Sequence, residues 1–201
     1  MSKRWRPLWG YITSMNFEDP NTLRCGVTIT EKSEKRSWYI DWVNQVINSH
    51  KGSTLDQFSI DFDLDKTSSP VIDRWLDFAL SRRLQRLDFV LNSRTGWLPW
   101  SSVLYAFPEG VYSQLKAPAG LSSIKCLTSL QLGFVNVTGD VIEHFLLNCP
   151  LLERLVVNGS EAPESIKVVA LLPLRLKHLE IICCHNLKVL KYVCQISCHF
   201  N

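Results

Sequence analysis

The fold class predicted for this sequence is α/β: a repeat solenoid with a curved parallel sheet on its concave side and helices and loops on its convex side. Three observations predict it. The pattern L-x-x-L-x-L recurs at a near-constant stride, and segments of helical periodicity separate its copies. The third is composition: 201 residues with 46% hydrophobic, 20% charged and a mean hydropathy of +0.00 can bury one continuous core, which excludes a disordered chain.

Near the N-terminus Trp5, Leu8 and Trp9 stand at i, i+3 and i+4, the spacing of one apolar face on a short helix. Trp38, Trp42, Val43, Val46 and Ile47 share a face of a second predicted helix. Leu55-x-x-Phe58-x-Ile60 is the first strand motif, and Asp61, Asp63 and Asp65 alternate with Phe62 and Leu64 beyond it, as on a half-buried strand with an acidic outer face. A helix carrying Ile72, Trp75, Leu76 and Ala79 follows, with Pro70 near its first turn. Leu84-x-x-Leu87-x-Phe89 is the second strand. The interval of 43 residues to Leu127 holds either a degenerate unit around Val103-Leu104-Tyr105 or a long insertion.

Three regular copies close the series: Leu127-x-x-Leu130-x-Leu132, Leu152-x-x-Leu155-x-Val157 and Leu176-x-x-Leu179-x-Ile181, at steps of 25 and 24 residues. Between the first two lies a helix with Val141, Ile142, Phe145 and Leu146 on one face, N-capped by Thr138 and ended by Pro150. The stride falls within the roughly 20 to 29 residues of leucine-rich repeats. One such unit cannot offset its own ordering entropy, so neighbouring units must stack, pair their strands and share a core. The pattern fades after Leu190. Leu187, Val189, Leu190, Tyr192 and Val193 offer no polar cap, which predicts a weak C-terminal edge and poor solubility unless a partner covers it.

Side chains on a strand alternate, so the residues between the motif leucines face the concave side. The expected row is Gln57, Ser59, Asp61; Arg86, Asp88, Val90; Ser129, Gln131, Gly133; Arg154, Val156, Asn158; His178, Glu180, Ile182. Mixed charges, amides and small apolar groups suit a protein partner better than a polyanion. The net charge of +3, with its basic residues scattered, gives no footprint for nucleic acid. No run of 18 apolar residues suggests a membrane span. Seven cysteines without framework spacing, behind an N-terminus unlike a secretory signal, predict reduced thiols in cytoplasm or nucleus.

Catalytic and metal chemistry finds little support. Cys183-Cys184-His185 and Cys194-x-x-x-Cys198-His199 hold zinc ligand types, but adjacent Cys183 and Cys184 would point to opposite sides of a strand. Cys184 instead occupies the ninth place of L-x-x-L-x-L-x-x-C, a turn position where a structural thiol is expected. Asp61-x-Asp63-x-Asp65 opens like a calcium loop, yet Lys66 and Ile72 stand where glycine and glutamate are required. No metal and no cofactor is expected. Trp97 and Trp100, flanking Leu98-Pro99, are candidate surface aromatics.

Ser2-Lys3-Arg4-Trp5-Arg6-Pro7-Leu8-Trp9, followed by Met15-Asn16-Phe17-Glu18-Asp19, resembles the end of an F-box. The stretch behind it is similar to plant F-box/leucine-rich repeat proteins of the FBD type: Trp42-Val43 to Val46-Ile47, Leu55 to Phe62, Trp75-Leu76 to Ala79, and Leu146 to Leu155 with its C-P-x-L-E core. The resemblance implies a non-enzymatic substrate receptor of a Skp-cullin-F-box ubiquitin ligase, with an unknown protein substrate on the concave face. It implies three regions: a residual F-box helix and linker over 1–20, about five to six irregular repeats over 21–190, and an uncapped tail over 191–201. Trp5, Leu8 and Trp9 would then touch the Skp-type adaptor, or simply cover the open end of the stack. The family's leading L-P-x-x-[LI] helix does not precede this segment, so the expectation includes a truncated gene product, or a free-standing repeat module that binds protein without recruiting a ligase.

Overall fold

The computed structural model describes residues 10–18, 29–91, 104–108, 124–170 and 175–194. Its centre is a six-stranded, wholly parallel sheet of β1 (Ser14–Glu18), β2 (Gln57–Asp61), β3 (Arg86–Val90), β5 (Ser129–Gly133), β7 (Arg154–Asn158) and β9 (His178–Ile182), in that order. All five predicted strand motifs fall on strands of this sheet. The register is uniform, so that Gln57, Arg86, Ser129, Arg154 and His178 are mutual partners from strand to strand. Parallel neighbours need a crossover. Here α1 (Ile29–Ser49) links β1 to β2, α2 (Ser69–Leu80) links β2 to β3, and α3 (Gly139–Asn148) links β5 to β7.

β3 pairs directly with β5. The long interval before Leu127 is therefore an insertion with respect to this sheet. Its short strand β4 (Tyr105–Ala106) instead pairs with β6 (Val135–Asn136) in a separate two-stranded sheet. Beyond β7 the chain forms β8 (Ser165–Ala170) where earlier units have a helix, and β8 pairs in parallel with β10 (Val189–Cys194). The side of the stack away from the main sheet thus changes from helices to short strands along its length.

The leucine positions build the core in tiers. Leu55, Phe58 and Ile60 are fully buried, as are Leu127, Leu130, Leu132 and Leu152, Leu155, Val157. The predicted faces of α2 and α3 are buried as expected, and Pro70 lies in the first turn of α2. Thr138 is the N-cap of α3 but makes no capping bond through its side chain. In α1 the predicted face meets the core at Val43, which is fully buried, and at Trp42, Val46 and Ile47, which pack against it; Tyr39 takes the buried place expected of Trp38, which is 60% exposed and stacks outside on Trp42 at 5.8 Å. Tyr39 has the stronger claim on the interior. Its ring lies flat on Phe62 at 3.7 Å and its hydroxyl donates to the Phe17 carbonyl at 2.5 Å, so its one polar atom is satisfied.

The acidic alternation after β2 also differs from expectation. The strand ends at Asp61, and Asp63 meets Arg36 of α1. Arg36 Nη2 lies 2.9 Å from Asp63 Oδ1, Nη1 lies 2.7 Å from Asp65 Oδ2, and Nε donates to the Asp63 carbonyl at 2.8 Å. Two of the three aspartates that resemble a calcium loop, Asp63 and Asp65, are an arginine clamp. Asp65 also accepts the Thr67 N–H at 2.9 Å, capping the 3-10 turn Lys66–Ser68, and its carboxyl is held below its usual range by the Thr67 and Arg36 contacts in spite of burial. No helix among the described residues is long and apolar enough to cross a membrane.

Candidate functional site

The face of the sheet opposite the core presents three rows of side chains, one row for each outward position along the strands. The first runs Ser14, Gln57, Arg86, Ser129, Arg154, His178; the second Asn16, Ser59, Asp88, Gln131, Val156, Glu180; the third Glu18, Asp61, Val90, Gly133, Asn158, Ile182. Every residue expected from β2 onward occupies its expected place, and neighbours within a row are about 4.8 Å apart across the sheet. Ser59 and Val156 are 3% and 5% exposed, so these two belong to the rows but offer little surface.

The β1 members, Ser14, Asn16 and Glu18, were missed by pattern reading. Their signal was present as Ile12-x-x-Met15-x-Phe17, which is the strand motif with other apolar residues in the leucine places. Met15 and Phe17 are each 2% exposed, as that role demands. Trp5, Leu8 and Trp9, expected at the adaptor contact, lie outside the described residues, as do Trp97 and Trp100.

Charge is arranged by row. The first row carries Arg86 and Arg154 on either side of Ser129, while the third begins with Glu18 and Asp61. Asp88 sits between them in the second row. Burial raises its carboxyl above the usual range, opposed by Arg86, by a 3.4 Å bond from Gln57 Nε2 and by Arg154. At the far end Glu180 Oε2 lies 2.9 Å from His178 Nε2 and 3.9 Å from Arg154. Exposed pairs of this kind contribute about 0 to 1 kcal/mol each, so they orient side chains more than they stabilise the fold. A face of this kind is broad and polar.

The rows are bounded by the turn after each strand. Phe134, Gly159 and Cys183 follow β5, β7 and β9 at equivalent positions, and all three have left-handed backbone, with φ of 55°, 67° and 53°. The ninth repeat place, read as a turn position, holds Asp63, Ser160 and Cys184, and in the unit of β5 it holds Val135, which begins β6. Ser160 is fully buried and accepts the Val137 N–H at 2.9 Å. Cys184 is half-buried, its Sγ 3.4 Å from the Ile182 carbonyl, and burial raises its thiol. Burial raises Cys149 to about 12, which keeps it a thiol at neutral pH. Among the described residues no group of three or more His, Cys, Asp or Glu is placed to hold a metal ion. Cys198 and His199 lie outside those residues.

Comparison with known proteins bears on the same region. The family model for the At1g61320/AtMIF1 LRR domain matches residues 46–196. Among curated proteins of Arabidopsis thaliana, the chain is 28% identical to the F-box/LRR-repeat protein At5g02700 over 79% of its own length and 32% of that protein's. It is 27% identical to the F-box/FBD/LRR-repeat protein At4g00160 over 90% of its length and 40% of the relative's. It is also 27% identical to the F-box/LRR-repeat protein At3g58900, over 82% and 52%. The chain thus spans about a third to a half of the relatives it matches. No solved structure matches it.

Proposed function

The chain belongs to the At1g61320/AtMIF1 leucine-rich repeat domain family, and from that premise we propose that it is a non-enzymatic protein-interaction module that grips a protein substrate on the open face of its six-stranded sheet. Gln57, Asp61, Arg86, Asp88, Ser129, Gln131, Arg154, Asn158, His178 and Glu180 are the contact residues in this reading, with Ser59 as a recessed member. The observation that carries it is the unbroken register: outward residues from successive units stand in straight rows while the alternate residues of β2, β3, β5 and β7 are consumed by the core. A row of orthogonal side chains at fixed spacing reads an extended surface and cannot enclose a small molecule.

The names of the relatives extend the proposal. They are F-box proteins, so the module is read as the substrate-receptor part of a Skp-cullin-F-box ubiquitin ligase, acting in cytoplasm or nucleus, with Trp5, Leu8 and Trp9 toward the Skp-type adaptor. The alternative is a repeat module that binds its protein without recruiting a ligase. Co-precipitation of residues 1–201 with a purified Skp-type adaptor separates the two. Retention of the adaptor, lost in a Trp5→Ala, Leu8→Ala, Trp9→Ala variant, is the expected result; no retention at micromolar concentrations removes the ligase role and leaves the alternative. The binding face is tested by the double variant Arg86→Glu, Arg154→Glu. It should lose the proteins that the wild-type chain captures, while Lys35→Glu with Arg83→Glu, off the sheet, keeps them.

A further inference from the structure

We propose that Asn158 and Gly159 form a self-modification site, in which the Gly159 backbone nitrogen displaces the side-chain amide of Asn158, and that the pairing of β7 with β9 is its gate. Asn158-Gly159 is the one Asn-Gly pair of the sequence. Glycine hinders attack by its own nitrogen least, because it has no Cβ. The Gly159 nitrogen gives up its proton and bonds to Asn158 Cγ, the Cγ–Nδ2 bond breaks, and Nδ2 leaves with that proton as ammonia. Water then opens the cyclic imide. Addition at Cγ leaves aspartate, whereas addition at the backbone carbonyl carbon leaves isoaspartate, whose main chain runs through Cβ and Cγ.

The fold does not release Gly159 from this role. Its φ is 67°, and a Cβ on it would lie 2.8 Å from Phe134 Cδ1. The left-handed residues at the equivalent places, Phe134 and Cys183, follow Gly133 and Ile182. Of these three turns, that after β7 alone sets an asparagine before the left-handed residue.

Strand pairing guards the site instead. Asn158 is the last residue of β7 and stands between Gly133 and Ile182 in the register. Its carbonyl accepts the Phe134 N–H at 2.7 Å, and the Gly159 N–H donates to the Ile182 carbonyl at 2.9 Å. The first bond fixes the peptide plane, and the second holds the proton that must leave. Ser160 pins the far side of the turn, accepting the Val137 N–H at 2.9 Å. Ring closure requires Asn158 to rotate about ψ out of the extended region, which these bonds oppose. The bond to Ile182 is the one that crosses to β9, so local release of β9 frees the attacking nitrogen. Either product adds a carboxylate at the end of β7, where Asn158 lies half-buried in the row that begins with Glu18 and Asp61. Isoaspartate does more. The carbonyl that accepted the Phe134 N–H becomes a free carboxylate and the main chain gains one methylene, so a transient opening of β9 becomes a lasting one. The effect of the new charge on a partner rests on the open face being the contact surface; the modification and its gate do not.

The test incubates the full chain at neutral pH beside a synthetic peptide of residues 155–167, which is also the tryptic peptide that contains Asn158. Mass spectrometry follows loss of the amide in both, and enzymatic carboxyl methylation reads isoaspartate. Conversion at least tenfold slower in the chain than in the peptide is expected. Ile181→Ala thins the packing of β9 on the core and leaves residues 158 and 159 intact, so it should speed conversion in the chain at least threefold. Met15→Ala, in β1 at the other end of the stack, should change it less than twofold. Amide exchange at Gly159 should be faster in chain that has formed isoaspartate than in fresh chain. Conversion as fast in the chain as in the peptide, none in the Ile181→Ala chain, or equal acceleration by the two variants overturns the inference, and isoaspartate without faster exchange at Gly159 overturns the lasting release of β9.

Discussion

His50 shows how one side chain joins three elements at the cost of a pH dependence. Its Nε2 lies 3.0 Å from the Ile12 carbonyl ahead of β1, its ring meets Phe78 of α2 edge-on at 5.6 Å, and its Nδ1 is buried with no hydrogen-bond partner among the described residues. Burial, and to a lesser degree the Arg82 cation, hold its pKa below 6.5, although the bond to Ile12 works in the opposite direction. The unfolded chain therefore takes up a proton near pH 6.5 that the folded chain takes up only at lower pH. Stability from this group is complete above 6.5 and falls as pH drops below it. His50→Gln keeps a donor for Ile12 and cannot be protonated, so its urea midpoint should change less between pH 7.5 and 5.5 than that of the wild type. Two turn residues give tests of opposite sign. Gly159 has φ 67°, and a Cβ there would lie 2.8 Å from Phe134 Cδ1, so Gly159→Ala should cost about 1–2 kcal/mol. Cys183 is exposed at φ 53°, and Cys183→Gly should leave stability unchanged or raise it by up to about 1 kcal/mol in the same denaturation assay. Neither backbone angle was legible as sequence beyond the glycine itself, because phenylalanine and cysteine carry no mark of left-handed backbone.

The helices are held to the sheet by contacts of long sequence separation. Arg36 ties α1 to the segment after β2 through two carboxylates whose side chains are 11% and 13% exposed. Arg36→Met should cost about 1.5–3 kcal/mol, since it leaves Asp63 without its charged donor, and Asp63→Asn with Arg36→Met should recover part of that loss in a double-mutant cycle. Where α3 begins, a Cβ on Gly139 would sit 2.0 Å from the Ser165 carbonyl oxygen of β8. Gly139→Ala must therefore push helix and strand apart, and a loss of about 2 kcal/mol or more is expected by thermal melting. The faces of α2 and α3 were readable from spacing because leucine, isoleucine and tryptophan recur there with helical period. That of α1 was readable except at its first residue. Trp38 and Tyr39 are adjacent, both aromatic, and periodicity cannot decide between them; the hydrogen bond from Tyr39 to Phe17 does. The Arg36 clamp was likewise invisible, since nothing in the sequence pairs a helix residue with aspartates 27 and 29 positions away.

Across the whole molecule stability should be graded along the stack, because each tier contacts only its neighbours. The tiers from β2 to β7 are closed on both sides, whereas Leu179, Ile182, Val189 and Leu190 of the last are 36–53% exposed. Native-state hydrogen exchange should therefore find β9 and β10 opening at lower free energy than β3 and β5, by a difference that grows with denaturant. Uniform protection over all six strands would contradict this grading. The stride of the leucines, by itself, determined the tiers, the parallel sheet and the rows on its open face, since a period of two within the strand and about 25 between strands leaves one way to bury every marked residue. Tertiary structure alone decided that Ile12, Met15 and Phe17 form a further tier, that β3 and β5 pair directly across the insertion before Leu127, and that Asp63 and Asp65 face Arg36. Those outcomes depend on which distant surfaces meet, and the shape and charge of a partner surface are not written in the local order of residues.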